Sequence, residues 1–134
     1  MTTYDATIVD EDGEIPTLGD DVSILRTVTG LLSGQSLVKA WLTIKSRFTD
    51  TDSEALLQLE ITTVDSAAGQ ITEDGTGDVE GELLFRIAGA TDYENLVALK
   101  NYPYDIQVLL DDGVIATLEV GRIRWERQVT LARS

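Results

Sequence analysis

The sequence predicts an all-β protein, a single antiparallel β-sandwich of roughly eight short strands with one or two short helical turns. Three observations carry this reading. Apolar and polar side chains alternate with a period of two through most of the chain. Turn-forming residues separate the alternating runs at short intervals, as in a sandwich or barrel. Helical start signals are confined to two short capping boxes.

The N-terminal run Tyr4 to Val9 reads as a weak strand, and Asp10 to Asp21 as an acidic, turn-rich stretch containing Pro16. Residues 1–20 together read as an extended acidic arm. Val22 to Thr29 is a further weak strand. From Leu37 to Lys45, Val38, Ala40, Leu42 and Ile44 fall on one face and Lys39, Trp41, Thr43 and Lys45 on the other, the pattern of a half-buried strand. Thr51-Asp52-Ser53-Glu54 fits a capping box and predicts a short helical turn. Leu56 to Thr63 reads as a strand.

Ala67 to Gly81 is rich in Gly, Thr, Asp and Glu and reads as an exposed turn region. Glu82 to Ile87 is a strand. Thr91-Asp92-Tyr93-Glu94 is the second capping box, predicting helical turns between Asp92 and Leu99. Tyr104, Ile106, Val108 and Leu110 then alternate with Asp105, Gln107, Leu109 and Asp111, and Asp112-Gly113 turns the chain into a returning strand, Val114 to Val120. Gly121 suggests a bend or bulge before a last strand carrying Ile123, Trp125, Val129 and Leu131. The expected inner face includes Val38, Leu42, Ile44, Leu83, Phe85, Ile106, Val108, Ile123 and Trp125. A chain of 134 residues suits one domain, 1–134, with no linker inside it.

Twenty-four acidic residues face ten basic ones, for a formal charge of -14. That charge repels phosphate backbones and anionic lipid, so nucleic acid and membrane surfaces are not expected partners. No secretory leader is expected from Met1 to Asp12, and no apolar run approaches the roughly twenty residues that span a bilayer. Cysteine and histidine are absent, which removes disulfides, thiolate or imidazole metal sites and cysteine- or histidine-based nucleophile systems. The acidic run Asp50 to Glu54 resembles the opening of a calcium loop. It holds Ala55 and Ile61 where that loop needs glycine and glutamate, so a polar turn is expected instead. No catalytic residue, metal or cofactor is expected.

Two features point to binding. Trp41 lies on the polar side of its strand, either as an exposed interface anchor or within a minor core under a covered face. Arg122, Arg124, Arg127 and Arg133 gather four of the ten basic residues near the C-terminus. They are placed either to pair with acidic surface on a neighbouring molecule or to bridge internally to the chain's own acids. Trp41, Arg122, Arg124 and Arg127 are the candidate interface residues.

Lys39-Ala40-Trp41-Leu42-Thr43-Ile44-Lys45, Asp50-Thr51-Asp52, Ala55-Leu56-Leu57 and Gly69-Gln70-Ile71-Thr72 follow one another in a familiar order. Tyr102-Pro103-Tyr104-Asp105-Ile106-Gln107-Val108 and Thr117-Leu118-Glu119-Val120-Gly121 complete it. These segments resemble small phage and prophage proteins akin to the N-terminal domain of baseplate upper proteins, over roughly Asp20 to Thr130. The resemblance implies an immunoglobulin-like sandwich that docks, in symmetric multiple copies, onto other virion proteins of the tail, neck or baseplate. It also implies a chain made in the host cytoplasm and ending in the virion. A capsid decoration protein is the alternative, and a carbohydrate- or receptor-binding module a more distant one.

Overall fold

The computed structural model describes residues 5–7, 21–32, 34–47, 49–77, 80–89, 91–92 and 95–125. Among these residues eight strands run in chain order: β1 (Asp5–Thr7), β2 (Val22–Val28), β3 (Leu37–Ile44), β4 (Leu57–Thr62), β5 (Gly69–Glu73), β6 (Gly81–Ile87), β7 (Tyr102–Leu110) and β8 (Ile115–Ile123). They form a five-stranded sheet in the order β1-β8-β7-β3-β4 and a three-stranded sheet in the order β2-β6-β5. Every pairing is antiparallel except β1 with β8, which is parallel.

The expected alternation is the cause of this arrangement. Along β6, Gly81, Leu83, Phe85 and Ile87 are buried while Glu82, Leu84 and Arg86 are not. Along β7, Tyr102, Pro103 and Tyr104 are all buried, and beyond them Ile106, Val108 and Leu110 are buried between less buried neighbours. Ile24, Leu42, Ile44, Ile61, Leu83, Phe85, Ile106, Val108, Ile123 and Trp125 form the middle of one apolar layer between the sheets. Burying such side chains stabilises by about 1.5–3 kcal/mol each before the entropy of ordering is counted.

Bulges depart from the simple pattern. In the β3–β7 ladder Leu37 pairs with Leu110 and Lys39 with Leu109, leaving Val38 as an extra residue. Leu37 therefore turns inward, and Val38, expected inside, is 40% exposed. In the β7–β8 ladder Ile106 pairs with Glu119 and Gln107 with Thr117, so Leu118 is the extra residue. That bulge lies upstream of Gly121, where a break was expected. β8 runs on through Gly121 to Ile123, and the expected separate last strand beyond it falls at 126–131, outside the described residues.

The stretch 67–81, expected as exposed turn, contains β5 with Ile71 buried. Gly69 makes this strand possible. Its φ is +131°, and a Cβ there would sit 1.9 Å from the Leu84 carbonyl oxygen. The predicted helical turn after Asp50 is present as a 3₁₀ turn, Asp52–Glu54. The one predicted near Asp92 is not seen among the described residues 91–92 and 95–100. Just upstream, the Asp92 carboxylate accepts from the Ala88 amide at 2.7 Å and the Asp92 amide donates to the Ala88 carbonyl at 2.9 Å, closing a turn.

At the start of β7, Tyr102 packs edge-on against Trp125, ring centroids 6.1 Å apart. Its hydroxyl accepts the Val97 amide at 2.8 Å, and the Leu99 amide donates to the Trp125 carbonyl at 2.9 Å. These bonds hold the loop before β7 across the end of the core. At the other end the β7–β8 hairpin turns as expected on Asp112-Gly113: the Gly113 amide donates to Leu110 and Gly113 takes φ +87°.

Tyr102→Phe keeps the ring on Trp125 and leaves the Val97 amide without its acceptor. It is expected to lower unfolding free energy by about 1–2 kcal/mol in urea titration. The Asp112 carboxylate accepts the Val114 amide and the Gln35 side-chain amide, which hold it below the ordinary aspartate range. A lowered folded value stabilises above the unfolded value near pH 4 and is lost as pH falls through it. The stability gap between wild type and Asp112→Asn should therefore be present at neutral pH and close below about pH 4. Thermal melts across pH check this, and a constant gap would defeat it.

Candidate docking surface and a buried polar link

The outer face of the five-stranded sheet is laid out in cross-strand rows. Thr62, Lys39, Leu109 and Ile115 form one row, and Glu60, Trp41, Gln107 and Thr117 the next. Gln58, Thr43, Asp105 and Val120 follow, and Pro103 with Arg122 lies beyond.

Trp41 thus stands on the outer face of the five-stranded sheet, half-buried. Its indole N–H donates to Glu60 Oε1 at 3.0 Å, and the Lys39 ammonium lies 3.5 Å from the same oxygen. The Gln58 side-chain amide donates to Thr43 Oγ1 at 3.1 Å and that of Gln107 to Thr117 Oγ1 at 3.3 Å. These cross-strand bonds tie neighbouring strands together around Trp41.

Arg122 is exposed on the same face, two rows and two strands away, roughly 16 Å from Trp41 at ordinary strand spacings. Arg124 follows β8, half-buried, with its Nε buried and without a hydrogen-bond partner among the described residues. Arg127 lies outside the described residues. The structure brings Trp41 and Arg122 to one surface without joining them in one cluster.

The loop end of this face is apolar. Val38 is turned out by its bulge beside Leu109, whose direct partner is Ile115. Gln35 ties the neighbouring loop to the hairpin: its side chain accepts the Leu32 amide at 2.8 Å and donates to Asp112 at 3.1 Å. Leu32, Val114 and Ile115 are 68%, 50% and 60% exposed at this end. A shallow depression of about 170 Å³ lined by Thr43, Lys45, Pro103, Tyr104 and Asp105 lies at the other end.

Between the sheets sits a polar group that sequence reasoning missed. Glu119 is 2% exposed, and Arg26 reaches it from β2 in the opposite sheet. Arg26 Nε donates to Oε1 at 2.8 Å and Nη2 to Oε2 at 3.2 Å, while the Tyr104 hydroxyl also donates to Oε2. Burial alone would lower the Arg26 guanidinium, but the hydrogen bond and charge of Glu119 outweigh it and hold the group above its ordinary value. Burial pushes the Tyr104 phenol well upward, with Glu119 adding to the effect. The available signal was Arg26 at an inward parity between Ile24 and Val28. The Leu118 bulge, which turns Glu119 inward, leaves no mark in the alternation.

The Asp50 and Glu54 carboxylates are engaged locally. Glu54 accepts from the Thr51 amide at 3.2 Å and hydroxyl at 2.8 Å, and Asp50 accepts the Arg47 amide at 3.0 Å. No group of three or more metal-ligating side chains occurs among the described residues, and no described helix is long and apolar enough to cross a membrane. In comparison with known proteins, no family model matches the chain, and no curated protein or solved structure matches it at a significant level.

Glu119→Leu strands Arg26 and the Tyr104 hydroxyl between the sheets and is expected to cost about 3 kcal/mol. Adding Arg26→Met and Tyr104→Phe should recover most of that loss, because no buried polar group is then left over. Chemical denaturation of the single and triple variants checks this. A triple variant as unstable as the single one would show that geometry, not charge, governs the site.

Proposed function

We propose that this chain is a non-enzymatic structural component of a tailed-phage virion, docking in multiple copies onto tail, neck or baseplate proteins. The observation that carries the reading is the outer face of the five-stranded sheet. It sets a half-buried Trp41, an apolar loop end and the exposed Arg122 on one surface. An aromatic anchor ringed by polar groups is the composition of a protein–protein contact, where desolvating a few large side chains supplies most of the affinity.

We further read the sandwich as immunoglobulin-like. The order β8-β7-β3-β4 facing β2-β6-β5 has the strand sequence of such a domain, with β1 moved to the edge beside β8. Tyr102, at the start of β7 and bonded to the Val97 amide, occupies the place of the tyrosine corner. Tyr104 stands where an antibody domain has its second cystine half, so here the Arg26–Glu119–Tyr104 link spans the sheets in place of a disulfide. This topology and the phage resemblance of the Tyr102 to Val108 strand support the same reading.

Reversing Arg122, Arg124 and Arg127 to Glu is expected to release the protein from purified particles while the isolated domain still folds. Quantifying its occupancy in virions checks this, and unchanged occupancy counts against these arginines. Density for the protein in a particle reconstruction decides position: tail or baseplate supports the proposal, the capsid lattice supports decoration, and absence from the particle sinks both.

A further inference from the structure

We draw no further inference here: the strongest candidate, the apolar patch of Leu32, Val38, Leu109, Val114 and Ile115 at the loop end of the five-stranded sheet's outer face, carries none because nothing in the structure shows what covers it.

Discussion

Side-chain parity governs this molecule. Each strand can send only alternate residues into the layer between the sheets, so every inward position is committed once register is chosen. The ladders fix that register residue by residue, and extra residues at Val38 and Leu118 reset it within β3 and β8. The first reset removes a valine from the core and places it on the outer surface. The second places a carboxylate inside. The exposed apolar end and the buried polar link are thus two products of the same local device.

Much of this was legible in the sequence because burial and alternation report the same thing. β2, β3, β4, β6 and β7 fall within a few residues of the runs that predicted them, and the inward set was right apart from Val38. What stayed hidden has a common cause. A bulge adds one residue without changing composition, so the inward turns of Leu37 and Glu119 left no periodic mark. β5 was obscured because a five-residue strand of Gly, Gln, Ile, Thr and Glu shares its composition with turns. Of the candidate site, Trp41 and Arg122 were named and do share a face. The apolar patch beside them was not, because it is assembled from Leu32, Val38, Leu109, Val114 and Ile115, which come from separate parts of the chain.

The link between Arg26, Glu119 and Tyr104 is energetically two-sided. Removing a carboxylate and a guanidinium from water costs several kcal/mol per ion, and their mutual attraction roughly offsets that when geometry is good. The two donations from Arg26 and the third from Tyr104 give Glu119 such geometry. The group therefore contributes less to net stability than to the choice of one packing among several. A purely apolar layer of Leu, Ile and Val tolerates small shifts of one sheet over the other. A carboxylate that must find both a guanidinium and a phenol does not.

β2 is the edge of its sheet among the described residues, with only β6 beside it. An exposed edge invites a foreign strand to add on, and a two-residue frame error would still keep its apolar side chains on the correct side. Arg26 forbids the frame error. Sliding β2 by one residue would bring Leu25 or Thr27 against Glu119, and sliding by two would bring Ile24 or Val28, each leaving the carboxylate dry and uncompensated. The inward arginine is in this sense an address label for its own strand, accepted by one counterpart in one frame.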